Sequence, residues 1–269
     1  MKRLNKIIAV AASALLVSCG DPSGNLINLP AVPVPTAVTK ILSKVTTTDT
    51  ATSQQETEVY NYTSGKLTSV FDSDNARNYA LEYSNAQISK ITITQMTMPA
   101  MVSNLTHTGT QLTGISGTIY PDVTFESTLS YTAGKLTSIE TDYKMMGVPG
   151  IESTRTMTLS YVGENISEAV VEHEYFTVPS NTTSAALFTN YDLNPNPYRT
   201  IPTEFTIVKS IFTWQEDIIA GLSVNNYRNL EVQYAGSSTA HDVTYTYGTH
   251  TYPIKADTPT NSKGFEYLP

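Results

Sequence analysis

A short motif recurs along this chain and constrains its fold more than any other feature does. Each copy has a strand-like segment that ends at a tyrosine, a short turn, and a second segment with two aliphatic residues three positions apart. The copies are Val59–Val70, Ala80–Ile91, Thr128–Ile139 and Leu159–Ile166, with a degenerate copy at 106–119. Self-similarity at roughly 20 to 30 residues indicates a repeated supersecondary unit.

The turns of the motif predict β-hairpins. Gly65, Gly134 and Gly163 stand where a tight hairpin requires a positive φ, and Asn85 can adopt the left-handed conformation in the second copy. Successive hairpins form an antiparallel meander. We therefore predict a mainly all-β domain over residues 40–269, arranged as an open, curled sheet of repeated hairpins.

One segment departs from the strand pattern. Its apolar residues recur at helical spacing, and Gly221 offers a stop. They are Ile207, Val208, Ile211, Phe212, Ile218 and Ile219. The spacing predicts one short helix near 204–220 that plugs one end of the sheet, with Trp214 on its flank. Two strands are the alternative, because β-branched residues are frequent here.

The N-terminus has the layout of an export signal over residues 1–18. Its basic residues are Lys2, Arg3 and Lys6. The apolar stretch Ile7–Val17 is shorter than the ~20 residues that span a bilayer. Leu16-Val17-Ser18-Cys19 then resembles the bacterial lipobox, which implies diacylglycerol on Cys19 and a third acyl chain such as palmitate. An ordinary signal peptide with a chance cysteine is the alternative.

Residues 19–39 are predicted to be the lipidated cysteine and a proline-rich tether. Pro30, Pro33 and Pro35 favour an extended backbone at ~3.1 Å per residue, so the tether could span roughly 60 Å. A strand that packs on the domain is the alternative, because several residues between 26 and 34 are apolar. We expect a cell-envelope protein held to the outer membrane by its lipid, with the membrane face left open.

These motifs together resemble two families. The hairpins resemble the YD repeats of RHS-type shells, and more closely the uncharacterised repeat lipoproteins of Bacteroidetes. The order of lipobox, hairpins, Asn196-Pro197-Tyr198, Asn225-Asn226 and Tyr252-Pro253 supports the second resemblance. That family carries no assigned catalytic residues, so the resemblance implies none.

Charge and cysteine content exclude several activities. The formal net charge is −8, and removal of the three basic residues of the signal, which contains no acid, takes it to −11. An acidic surface without a basic cluster repels phosphate backbones, so we expect no nucleic-acid partner. Cys19 is the only cysteine. An intrachain disulfide and a free thiol nucleophile are therefore not expected.

The sequence offers no convincing catalytic or metal-binding constellation. Gly114–Thr118 lacks the second glycine of a nucleophile elbow and is predicted to be a turn. Asp72–Asn75 lacks the glycine and distal glutamate of a calcium loop and is also predicted to be a turn. His241 and His250 could approach each other on facing strands, but a third ligand is not evident. We predict no metal, cofactor or catalytic residue.

Seventeen tyrosines are the most unusual feature of the composition. Most are expected to pair across strands, but an exposed row would form a stacking platform. The candidates are Tyr191, Tyr198, Tyr245, Tyr247 and Tyr252. We predict a non-enzymatic envelope lipoprotein that binds a partner protein or a glycan on its sheet. The alternatives are a glycan-acting hydrolase that uses Glu172 and Glu174, and a structural spacer if every tyrosine packs inside.

Overall fold

The computed structural model describes residues 40–74, 76–96, 98–148, 150, 152–176, 181–213, 216–248 and 250–269. Cys19 with the predicted signal and tether, and Trp214, lie outside the described residues. Within them the chain forms seventeen strands, two α-helices and one 3₁₀ helix. The strands are β1 (Leu42–Asp49), β2 (Gln55–Thr63), β3 (Lys66–Asp72), β4 (Arg77–Ser84), β5 (Gln87–Gln95), β6 (Met98–Thr108), β7 (Gln111–Tyr120), β8 (Val123–Thr132), β9 (Lys135–Met145), β10 (Ser153–Val162), β11 (Asn165–Tyr175), β12 (Thr182–Thr189), β13 (Asn229–Tyr234), β14 (Ser237–Asp242), β15 (Thr244–Tyr247), β16 (Pro253–Asp257) and β17 (Asn261–Tyr267). The helical elements are the 3₁₀ helix Pro197–Thr200, α1 (Thr203–Phe212) and α2 (Glu216–Ala220).

The strands form an antiparallel meander that returns to its own beginning. Each strand from β1 to β13 pairs with the next along the chain, and β1 also pairs with β17, with Val45 opposite Phe265. A single residue, Val243, separates β14 from β15; the first pairs with β13 and the second with β16. The prediction of an all-β meander is confirmed, but the open curled sheet is wrong. The sheet curls into a nearly closed barrel, which leaves few strand edges unpaired.

The recurring motif folds into five hairpins whose turns all lie at one end of the barrel, which we call the turn end. Gly65, Gly134 and Gly163 adopt positive φ there, as does Asn85, so the turn prediction is confirmed. Each hairpin also contains a β-bulge at the tyrosine position of the motif, for example between Ser130 and Tyr131.

The tyrosines of the motif form a ladder of hydrogen bonds inside the turn end. Each hydroxyl of Tyr62, Tyr83, Tyr131 and Tyr161 donates to a backbone carbonyl near the start of the preceding strand, and Tyr191, which follows β12 and lies outside the motif copies, donates in the same way to the start of β11. The pairs are Tyr62 with Leu42 (3.0 Å), Tyr83 with Leu67 (2.8 Å), Tyr131 with Leu112 (2.7 Å), Tyr161 with Leu136 (2.9 Å) and Tyr191 with Ile166. In the degenerate copy His107 takes the tyrosine's place, and its Nε2 lies 3.7 Å from Glu204 Oε1.

A second repeated hydrogen bond closes four of the five bulges, those of the hairpins β2–β3, β4–β5, β6–β7 and β8–β9. A threonine or serine hydroxyl donates to the carbonyl that lies seven residues earlier, directly before the bulged residue. Thr137, for example, donates to the carbonyl of Ser130 at 3.2 Å. The motif is therefore a structural unit: its glycine makes the turn, its tyrosine ties two strands together, and its threonine fixes the bulge.

The two helices lie within the barrel rather than across one end. Seven consecutive residues of α1, from Phe205 to Ile211, are buried, so its whole circumference is covered. Phe205 packs edge-on against Tyr79 at 5.4 Å, and the Arg155 guanidinium donates to the carbonyls of Ser210 and Ile211 at its C-terminus. A segment inside the barrel has no free strand edge to pair with, so its backbone N–H and C=O groups must form hydrogen bonds within the segment, as they do in a helix. The helix prediction is confirmed, and the alternative of two strands is wrong.

The wall alternates between an apolar inward face and a polar outward face. On β8, Phe125 and Leu129 are buried, whereas Glu126, Thr128 and Ser130 are exposed. The inward residues form one hydrophobic cluster with α1. None of the helices in the described part of the chain is long and apolar enough to span a bilayer.

The segment Gly114–Thr118, predicted to be a turn, instead lies within β7. This segment pairs with strands on both sides: Gly117 is opposite Ser103 on β6 and Phe125 on β8. A Cβ on Gly117 would meet the carbonyl oxygen of Val102, so the glycine allows β6 and β7 to approach closely.

Candidate functional site

The helices fill only part of the barrel, and a cavity of about 340 Å³ occupies space beside them. Helices α1 and α2 line one side, and the inward faces of β1–β3 and β13–β17 line the other. Exposed Glu56, Asp74 and Thr260 also line it, so the cavity opens at the barrel end opposite the turn end, which we call the loop end. A concave site with a few convergent polar groups is the expected form of a small-ligand site.

A buried ion pair forms part of the cavity wall. The Lys209 ammonium on α1 contacts the Glu58 carboxylate on β2, and the lysine side chain is only 4% exposed. The Tyr60 hydroxyl donates to the other oxygen of Glu58. Burial alone would raise the pKa of Glu58, but Lys209 and the Tyr60 hydroxyl hold that pKa below its usual value. Glu58 is therefore a carboxylate at neutral pH, and it is fixed in position by two partners.

Further carboxylates crowd the mouth of the cavity. Asp72 is buried, and its Oδ1 accepts a hydrogen bond from the backbone N–H of Asp74 at 3.1 Å. Burial, together with the neighbouring Glu58 charge, raises the pKa of Asp72. Burial and Asp74 likewise raise the pKa of Glu56. Four carboxylates thus line the cavity together with two ammonium groups, Lys209 and Lys263, which leaves a formal excess of two negative charges.

Asparagine side chains brace the segment between β12 and β13 that carries the helices. Asn196 Nδ2 donates to the Ala220 carbonyl at 2.9 Å, and buried Asn226 donates to the carbonyls of Asn194 and Pro195. Asn196 also accepts the backbone N–H of Tyr198 at 3.0 Å, at the start of the 3₁₀ helix. The Asn-Pro-Tyr and Asn-Asn motifs of the sequence therefore hold the segment from which Tyr198 reaches the cavity.

The five tyrosines predicted to form a platform are all partly buried. Tyr198 and Tyr245 both line the cavity. The other three make separate contacts. The Tyr191 hydroxyl donates to Ile166, Tyr247 donates to Asp192, and Tyr252 packs edge-on against Tyr267 at 5.5 Å. The structure thus brings two of the five to one cavity.

The other residues singled out in the sequence are dispersed. Glu172 and Glu174 point outward from β11, on the exposed wall, and neither lines the cavity. His241 lines the cavity, whereas His250 lies in the segment between β15 and β16. Among the described residues, no three or more Asp, Glu, His or Cys side chains are placed so that they could hold a metal ion together.

Sequence reasoning missed three charged residues of the cavity, of which Lys209 and Asp72 are buried and Glu58 is partly buried. Lys209 carried the clearest available signal, because it is a single cation within the apolar helical run from Ile207 to Ile211. A lysine there must either reach solvent or meet an acid. Its partner Glu58 stands 151 residues earlier, and nothing in a single sequence joins the two. Asp72 was noticed only as part of a turn.

Comparisons with known proteins bear on the fold alone. No family model matches the chain, and no curated protein matches it. A porin-like protein from Bacteroides vulgatus is similar in structure, with a TM-score of 0.58 and 11% identity over 86% of this chain and 100% of that one. A second porin-like protein, from Bacteroides uniformis, has a TM-score of 0.54 and 16% identity over 84% and 96% of the two chains. The resemblance to YD-repeat and repeat-lipoprotein families stays a prediction.

Proposed function

We propose that this chain is a lipid-anchored binding protein of the cell envelope, which takes a small polar ligand such as a glycan fragment into the cavity. The observation that carries the proposal is the cavity itself, with the Glu58–Lys209 pair and Asp72 in its wall. Burying charged groups costs folding free energy that pairing offsets only in part, and charged groups beside an open cavity are available to a ligand. Tyr198 and Tyr245 line the cavity, and we propose that a sugar stacks on an aromatic ring there.

The envelope location rests on the sequence of residues 1–19 and is consistent with porin-like neighbours from Bacteroides. We further propose that the barrel wall faces water rather than lipid. Barrels that span a membrane carry apolar residues outward, whereas the outward positions here are rich in threonine, serine and charged residues. The anchor at Cys19 would then be the only attachment to the bilayer that the proposal requires.

Two alternatives have less support. A glycan-acting hydrolase would use Glu172 and Glu174, but these carboxylates stand on an exposed wall, whereas glycoside hydrolysis requires carboxylates that flank a cleft. A purely structural spacer agrees with the tyrosine ladder, yet it leaves the charged cavity without a use. Binding in the cavity therefore remains the proposal.

The ligand proposal is tested by screening neutral and charged mono- and disaccharides against the full-length chain by saturation-transfer NMR. Tyr245→Ala should weaken binding of any hit by about tenfold, through loss of a stacking face. Tyr234→Ala is the matched control, because Tyr234 is exposed and does not line the cavity. A hit that both variants weaken equally, or the absence of any hit, would count against the proposal.

The anchor is tested separately by labelling cells with radioactive palmitate. The wild-type chain should incorporate label and partition into detergent, and Cys19→Ala should do neither. Label retained by Cys19→Ala would contradict the lipidation proposal, and it would leave the cavity proposal unaffected.

A further inference from the structure

The loop end carries an exposed apolar surface that the cavity does not include. Methionine, valine and aromatic side chains project from four successive loops and from the strand ends that flank them, at the connections between β5 and β6, β7 and β8, β9 and β10, and β11 and β12. We call this set the apolar rim: Met96, Met98, Tyr120, Met145, Met146, Val148, Tyr175 and Phe176. Met96 is 77% exposed and Met146 is 66% exposed. Exposed apolar groups that cluster in this way mark interaction sites in soluble domains.

Backbone hydrogen bonds hold three of these four loops together. The Met146 N–H donates to the carbonyl of Asp122 at 2.6 Å, which joins the second loop to the third. The Phe176 N–H donates to the carbonyl of Glu152 at 3.0 Å, which joins the third loop to the fourth. The apolar side chains of these loops are therefore presented on connected backbone rather than on separate, independent tips.

The outward wall directly below the rim is acidic. Strand register places Glu126, Asp142, Thr154 and Glu174 in one row across β8–β11, and Thr128, Glu140, Thr156 and Glu172 in the next. We call the five carboxylates of these rows the acidic wall. Lys144 is the neighbouring cation, at 3.7 Å from Glu126. Arg155 on β10 does not offset the negative charge of the acidic wall, because its guanidinium points inward to α1.

We infer that the apolar rim and the acidic wall together form a docking surface for a partner protein that presents an apolar segment flanked by basic residues. Charge decides between the candidate occupants. An anionic lipid surface would be repelled by the acidic wall, and a second copy related by two-fold symmetry would set the two acidic walls against each other. A basic partner gains from both parts of the surface, and methionine side chains adapt to the shape of an apolar segment.

The inference is tested with a defined probe, a synthetic helical peptide of roughly 18 residues with one leucine face and one lysine face. Fluorescence anisotropy measures its binding to the full-length chain at low and high salt. Met146→Ser/Phe176→Ser should weaken binding by about tenfold at both salt concentrations. Glu172→Gln/Glu174→Gln should weaken it by about tenfold at low salt and remove most of the salt dependence.

Matched controls separate this surface from general attraction between an acidic protein and a cation. Leu193→Ser alters the most exposed large apolar residue of the described chain, in the segment between β12 and β13, and should leave binding unchanged. Glu82→Gln/Glu164→Gln removes two exposed carboxylates nearer the turn end and should also have no effect. Equal losses in control and test variants would overturn the inference.

Photo-crosslinking from position 146 in native membranes then examines the natural partner. A crosslinked protein supports the inference when its captured segment is apolar with flanking lysine or arginine, and when Glu172→Gln/Glu174→Gln reduces the crosslink. Crosslinks chiefly to a second copy of this chain would overturn it. The inference would also be overturned if the chain bound phosphatidylglycerol vesicles and Met146→Ser/Phe176→Ser abolished that binding.

Discussion

The two ends of the barrel are built in different ways. At the turn end, successive hairpins repeat a two-residue turn, a bulge and a tyrosine hydrogen bond with little variation. At the loop end, the connections differ in length and residue type, and they carry both the mouth of the cavity and the apolar rim. The repeated end therefore provides the scaffold, and the features suited to binding lie at the end that does not repeat.

The interactions at the two ends also differ in range along the chain. At the turn end, each threonine bond joins residues seven apart, and each tyrosine of the motif bonds to the adjacent strand. Around the cavity, Lys209 and Glu58 are 151 residues apart in the chain and are brought together by the tertiary fold. The threonine bonds can form in an isolated hairpin and the tyrosine bonds need only the preceding strand in addition, whereas the cavity depends on the complete fold.

The largest effect is expected from Lys209→Met, which removes the cation of the long-range pair. The variant leaves Glu58 buried without its counter-charge and should lower the free energy of unfolding by about 3 kcal/mol or more. Urea denaturation measures the loss. Lys209→Met/Glu58→Leu should recover most of it, because both charges are then absent. A single variant as stable as the wild type would show that the loop-end interior does not rely on this pair.

Tyr131→Phe tests the repeated construction of the turn end. Without the hydroxyl, the Leu112 carbonyl loses a donor at 2.7 Å, and we expect a loss of about 1.5 kcal/mol in urea denaturation. Tyr120→Phe is the control at the loop end, because Tyr120 is exposed in the rim. If the control lost as much stability as Tyr131→Phe did, the ladder would have no special part in the scaffold.

The same contrast explains how much the sequence could predict. The hairpins, the positive φ of Gly65 and Gly134, and the helix were predictable, because each depends on residues close in sequence. Closure of the barrel was not predictable, because it depends on β1 meeting β17 and on a change of pairing partner at Val243, from β13 before it to β16 after it. The cavity was missed for the same reason: its charges come from β2, β3, α1 and β17 and from the loop after β3, and no local pattern connects them.

Asp72→Asn tests whether the negative charge of Asp72 in the cavity destabilises the folded protein. The raised pKa of Asp72 means that folding opposes its ionisation, so the cost is present at pH 7 and disappears as the pH falls through the folded and then the unfolded pKa. The variant retains the oxygen that accepts the Asp74 N–H. It should therefore be about 1 kcal/mol more stable than the wild type at pH 7 and equal to it near pH 3. Lower stability of Asp72→Asn at pH 7 would show that the carboxylate serves the fold.

Ala86→Gly tests a difference between two hairpin turns of the turn end, and its expected effect on stability is the smallest. The hairpin of β4 and β5 places Ala86 at φ 70°, whereas the matching position of the β8–β9 hairpin is Gly134 at φ 78°. An alanine side chain is strained in that region and a glycine is not, although glycine loses more entropy on folding. The net gain should be about 0.5 kcal/mol, measured as a small rise in the denaturation midpoint, and Gly134→Ala should lower it. If both substitutions changed stability in the same direction, the two turns would not be equivalent, and the turn end would be less uniform than its repeated sequence indicates.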